Sequence, residues 1–115
     1  MINRQLVDTI QALEKASEET GKAIWGALAE ELDRSKRRRV SVNLSSIDRH
    51  TQEGDVVAVP GKVLAAGSLS KAVKVAAFSF SVGALAKIRA AEGEAMSLTD
   101  LLEAGVEPSQ IRIMK

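Results

Sequence analysis

The residues best suited to chemistry in this chain are cations. Arg34, Lys36, Arg37, Arg38 and Arg39 fall within six positions, five of the 16 Lys and Arg residues. Such a dense run cannot pack inside a protein and reads as an exposed segment, either a polyanion-binding patch or a solvated loop that keeps the protein soluble. Arginine suits nucleic acid because its planar fork contacts two phosphate oxygens and can stack on a base. Pro60-Gly61-Lys62 invites comparison with a phosphate-binding P-loop. That motif needs Gly five positions before Gly61 and Ser or Thr after the Lys. Val56 and Val63 stand there instead. What remains is a backbone turn that could present Lys62 to a phosphate, or a plain turn between strands. His50 is the single histidine, with Ser46 and Asp48 close by. A Ser-His-Asp hydrolase would have to use it, but such a triad is defined by geometry and not by neighbours on one helix. The bland reading of His50 is a surface contact residue. The single Trp25 has a core role by default.

The composition narrows the field. There are 115 residues, the size of one domain, and 45% are hydrophobic, enough for one core. Aromatics make up 3%, so that core must be aliphatic. No Cys is present, which excludes disulfides and thiolate metal sites. Carboxylates are not spaced for a metal, and no Gly-rich dinucleotide fingerprint occurs. No cofactor and no small-molecule substrate are implied. No apolar run approaches the roughly 20 residues that span a bilayer. The start, Met1-Ile2-Asn3-Arg4, is unlike a secretory signal, so the expected setting is cytoplasmic. The formal net charge is +1, far from the strong basicity common in RNA-binding proteins. The charge is concentrated in one segment, where counterions can still be released locally.

These cations must be positioned by an α/β scaffold. Leu6, Ile10 and Leu13 recur at helical spacing and predict a helix over 3–17, with Gly21 beyond its end. A second helix, 22–33, buries Ile24, Trp25, Leu28, Ala29 and Leu32. The basic segment follows as an exposed connection. Val40-Ser41-Val42 alternates like a short strand. Asn43 is placed to cap a helix over 44–51, with Arg49 and His50 at its far end. Asp55 to Val59 predicts a strand that Pro60-Gly61-Lys62 breaks, and Val63-Leu64 resumes after it. Residues 72–80 form the best strand. They are apolar on both faces in their second half, as in the middle of a sheet. A helix is expected over 81–91. Ser97-Leu98-Thr99-Asp100 reads as a capping box with Asp for Glu, opening a short helix through Ala104. Pro108 precedes a last strand, 110–114. Nothing divides the chain, so one domain over 1–115 is expected.

In this order the segments resemble one family. Ala23-Ile24-Trp25, Arg37-Arg38-Arg39-Val40-Ser41-Val42-Asn43-Leu44 and Val57-Ala58-Val59-Pro60-Gly61-Lys62-Val63-Leu64 are similar to stretches of the archaeal and eukaryotic large-subunit ribosomal protein L-eighteen-e. Ala76-Ala77-Phe78-Ser79-Phe80-Ser81 and Gln110-Ile111-Arg112-Ile113 are similar as well. That family is related to the bacterial L-fifteen and the eukaryotic L-twenty-seven-a. The resemblance implies N-terminal helices, a small mixed sheet in an irregular ββα layout, and binding to large-subunit ribosomal RNA without catalysis. It aligns Arg37, Arg38 and Arg39 with the RNA-contacting basic segment, and Lys62 with the Pro-Gly-Lys-Val-Leu stretch. Two departures stand out. Ala65-Ala66 replaces a loop that often continues with Gly, and Asn3-Arg4-Gln5 replaces Asn-Pro at the first helix.

The expected function is therefore a structural, non-enzymatic constituent of the large ribosomal subunit, lying beside neighbouring ribosomal proteins. Arg34, Lys36, Arg37, Arg38 and Arg39 would neutralise RNA phosphates. Arg49, His50, Lys62, Lys71 and Lys74 would form a weaker second tier. The alternative is a small interaction domain whose basic segment docks on an acidic protein partner.

Overall fold

The computed structural model describes residues 3–34 and 39–115. Two helices lead: α1 (Arg4–Thr20) and α2 (Ala23–Leu32). After them come β1 (Val40–Asn43), α3 (Leu44–His50), β2 (Val56–Leu64), β3 (Lys74–Phe80), α4 (Val82–Ala90), β4 (Glu94–Ser97) and α5 (Leu98–Glu103). A single 3₁₀ turn (Pro108–Gln110) leads into β5 (Ile111–Ile113). The α/β class expected from the sequence is what the chain adopts.

Local chemistry sets the element ends. Asn3 caps α1, its side chain accepting the Leu6 N–H at 3.1 Å, so the helix start is well defined without proline. Gly21 closes α1 in the left-handed conformation, φ 69°, which glycine adopts at no steric cost. Ser81 caps α4 by accepting the Ala84 N–H. The capping box of α5 is complete: Ser97 accepts from the Asp100 N–H, and Asp100 accepts from the Ser97 N–H. Asn43 does occupy the N-cap position of α3, but its side chain makes no capping bond.

All described strand pairs are parallel, where the family resemblance implied a mixed sheet. The order is β1-β2-β3-β4, and β5 also pairs with β2. β3 runs along one edge of β2. The other edge is shared, β5 against Val56 to Ala58 and β1 against Gly61 to Leu64. Helices α3 and α4, on the outward connections, pack one face with Val42, Val57, Val59, Val63 and Val75. Helix α5, on the return connection, lies on the opposite face with α1 and α2, over Ala58, Ala76 and Ile111. This is what one constant hand of crossover demands when the direction of travel reverses. Trp25 is buried there, 5% exposed, and has the core role expected of it.

One expectation is overturned. Pro60-Gly61-Lys62 does not break a strand; β2 runs unbroken through it. The register slips between Val59 and Lys62, a bulge of the kind that accommodates a residue without an N–H. Gly61 is needed because β1 crowds it: a Cβ there would run into the Val40 carbonyl oxygen. Strand β4 carries no signal that was read from the sequence. It is four residues long and half-buried.

Candidate nucleic-acid interface

The basic segment begins where α2 ends, and its root is tied down. Glu31, on the last turn of α2, is 9% exposed. It pairs with Arg34 Nε at 3.0 Å and with Lys115 Nζ at 2.9 Å. Hydrogen bonding from Lys115 and the nearby Arg34 charge hold the Glu31 carboxyl below its ordinary pKa, against the opposing effect of burial. Arg39 lies at the other end of the segment and is half-buried. Its Nη2 donates to the Arg34 carbonyl at 3.4 Å. Its Nε is enclosed, with no partner among the described residues. The two ends of the segment thus meet. Lys36, Arg37 and Arg38 lie outside the described residues.

Just beyond Arg39, β1 sits beside the bulged part of β2. Val42 and Val63 point into the core under α3 and α4. Alternation therefore turns Ser41, Asn43 and Lys62 to the opposite face. All three are exposed there, and Lys62 stands in register between Ser41 and Ser79. A charged residue in the middle of a parallel sheet is unusual, since both faces of such sheets are normally covered. Here α1 and α2 leave this part of the sheet open.

The remaining sequence-identified cations divide into two kinds. Lys71 is turned inward. Its Nζ donates to the carbonyls of Asp48 at 2.7 Å and Thr51 at 2.8 Å, and the Asp48 carboxylate is 3.8 Å away. It closes the C-terminal end of α3, where carbonyls lack helical partners. Lys74 is exposed at the start of β3. Arg49 and His50 are exposed on the last turn of α3. With Thr51, Gln52, Asp55 and Arg112 they line an open cavity of about 360 Å³. Arg112 was not singled out from the sequence as a contact residue. Its signal was available, a lone cation between Ile111 and Ile113 that must face away from their core.

Among the described residues no hydrolytic centre is assembled around His50. Its Nδ1 hydrogen bonds to the Ser46 carbonyl at 2.8 Å, so the ring is not oriented by a carboxylate. Asp48 is engaged elsewhere, accepting from the Ser70 N–H at 2.9 Å and the Ser70 hydroxyl at 2.8 Å. Those bonds, the backbone one foremost, keep the Asp48 carboxyl below its ordinary pKa. Among the described residues no group of three or more His, Asp or Glu side chains could hold a metal ion. No described helix is long and apolar enough to cross a membrane.

The scaffold is a small α/β domain in which the described ends of a basic segment lie beside an open, lysine-bearing sheet face. Comparison with known proteins makes this specific. Residues 7–96 match the model of the ribosomal protein family described as 50S-L15, 50S-L18e and 60S-L27A, and the chain belongs to that family. It is 42% identical to large ribosomal subunit protein eL18 of Methanothermobacter thermautotrophicus, over 98% of this chain and 93% of the relative. Identity to the protein of the same name from Haloarcula marismortui is also 42%, over 98% and 97%. With that from Methanospirillum hungatei it is 39%, over 98% and 93%. The resemblance drawn from the sequence motifs is correct, and these relatives are ribosomal proteins, not enzymes.

Proposed function

We propose that this chain is a structural component of the large ribosomal subunit in the cytoplasm. In this reading it holds ribosomal RNA through the basic segment 34–39 and the sheet face beside it. The observation that carries the reading is the tethered root of that segment. Glu31 holds Arg34 at one end, and Arg39 donates to the Arg34 carbonyl from the other, so the two described ends of the segment are held close together. Preorganisation of this kind lowers the ordering cost of binding. Lys62, Ser41 and Asn43 continue the polar surface onto the open sheet. Phosphate contacts of this type position a protein on RNA and carry little base information. Recognition then comes from the shape and 2′-hydroxyls of the folded RNA.

Not every cation takes part equally. Arg34 shares its charge with Glu31, and Arg39 bonds within the segment, so among the described cations Lys62 is the principal phosphate ligand. Lys71 is assigned to the fold, because an RNA contact would strip two carbonyls of their donor. Lys74 lies at the opposite end of β2 and β3 from Lys62 and is a peripheral contact at most.

The test is binding of the purified protein to deproteinised large-subunit ribosomal RNA across a salt series. Replacing Lys36, Arg37 and Arg38 by Ala should flatten the log K against log salt slope by roughly 2.1–2.7, about 0.7–0.9 for each phosphate contact removed. The folded protein should melt as before. Wild-type binding indifferent to salt would overturn the reading.

A further inference from the structure

We propose that the cavity between Arg49, His50 and Arg112 is a second RNA-phosphate site, on the opposite face of the sheet from Lys62. The chain would then bridge two backbone segments of the same ribosomal RNA. This rests on the ribosomal-RNA reading above and adds a second contact to it.

The cavity is built by two elements far apart in sequence. Arg49 and His50 come from the last turn of α3, and Arg112 from β5. Arg112 is in register with Val57, whose side chain belongs to the core beneath α3 and α4. Ile111 packs the other face, in the core of α1, α2 and α5, and Ile113 packs against that core. Alternation therefore points Arg112 to the α3 side, where the C-terminal end of α3 meets it. Lys62 points to the other side. Lys62 lies five positions beyond Val57 along β2, roughly 16 Å at about 3.3 Å per residue. The two cationic sites thus differ both in face and in position along the sheet.

The cations of the cavity are also uncommitted. Among the described residues neither Arg49 nor Arg112 makes an ion pair. The carboxylate in the cavity, Asp55, is engaged, accepting the Gln52 N–H at 2.9 Å. The carbonyl of Ser46 can only accept, so the His50 Nδ1 carries a proton and donates to it. Nε2 is left as the ring's remaining polar atom. Two guanidinium groups around an open cavity are a phosphate-recognition set, planar forks that match the oxygens, with the imidazole edge beside them. A cation near bare carbonyls is used up by them. At this end of α3 that task is done by Lys71, which leaves Arg49 and the Nε2 edge of His50 available.

Hydroxyl-radical footprinting of large-subunit ribosomal RNA tests the bridge directly. The wild-type protein should protect two separated RNA stretches. The variant R49A/H50A/R112A should lose one stretch and flatten the salt slope by about 1.5. The variant K36A/R37A/R38A should lose the other. A pocket variant with the wild-type footprint and slope would overturn the second site and leave the basic segment's role standing. A wild type with no salt-dependent binding would instead overturn the ribosomal-RNA reading itself. The three replaced side chains are exposed, so folding should survive; an independent readout guards against its loss. His50 is the chain's single histidine, and its imidazole resonances in the wild-type protein should shift on addition of the RNA. Resonances unmoved at saturation would also overturn the site.

Discussion

Lys62 and Lys71 are separated by nine positions, and both resemble phosphate ligands when read from the sequence. They end in opposite circumstances. Lys62 stands on an open sheet face between Ser41 and Ser79, and no hydrogen-bonded partner holds it among the described residues. Lys71 is drawn to the end of α3 by two carbonyls and a carboxylate. Lys87 shares the second fate, donating to the carbonyls of Ala65 at 2.8 Å and Gly67 at 2.7 Å. The region from 65 to 73 joins two parallel strands without a helix and therefore carries bare backbone acceptors. Those acceptors take the Lys87 ammonium, and the carbonyls of Asp48 and Thr51 at the end of α3 take that of Lys71. The bulged strand beside β1 has its carbonyls paired in the sheet, and its lysine stays free. Cation density in a sequence thus overstates the surface available to an anion wherever irregular backbone lies close by.

The contrast can be broken most forcefully at Gly61. A Cβ there meets the Val40 carbonyl, so Gly61→Ala should push β1 away from β2. A loss of about 1–3 kcal/mol is expected in chemical denaturation. RNA affinity should also fall, because β1 carries the end of the basic segment. Wild-type stability would show that β1 is not held as described.

A pair of isosteric replacements sharpens the comparison. Lys71→Met removes two charge-assisted bonds from a partly buried site and should cost about 2 kcal/mol of stability. The salt slope of RNA binding should be unchanged. Lys62→Met should do the reverse, leaving stability within about 0.5 kcal/mol and lowering the slope by about 0.7–0.9. Denaturant melts and salt titrations of both variants decide it, and equal effects in the two would dissolve the distinction.

The smallest effect is one of pH. Glu31 and Asp48 both have folded-state pKa values below their ordinary ones. Their contribution to stability is fully present above the unfolded values of about 4. It is lost as pH falls through the lower, folded values. Stability measured downward from pH 5 should decline, and E31Q and D48N should each blunt that decline. In E31Q the root of the basic segment is released as well. In D48N the Ser70 turn is released instead, and RNA binding is left intact.

Much of this architecture was legible in the residues alone. Helical spacing located α1 and α2, and the Ser97–Asp100 pattern announced a capping box. These are local features, set by periodicity and by a side chain's reach to its own backbone. The motif resemblance likewise placed the chain in its family. Three things lay beyond local reading. The strand through Pro60-Gly61-Lys62 continues only because β1 lies close enough to require glycine. Arg112 joins Arg49 and His50 only because β5 returns to pair with β2. Lys71 is silenced by carbonyls 20 and 23 residues away. The sequence alone determined which groups carry charge and which segments repeat with a helix or strand period. Only the tertiary structure decided which charges face solvent, because that depends on backbone acceptors brought near by strand pairing across long separations.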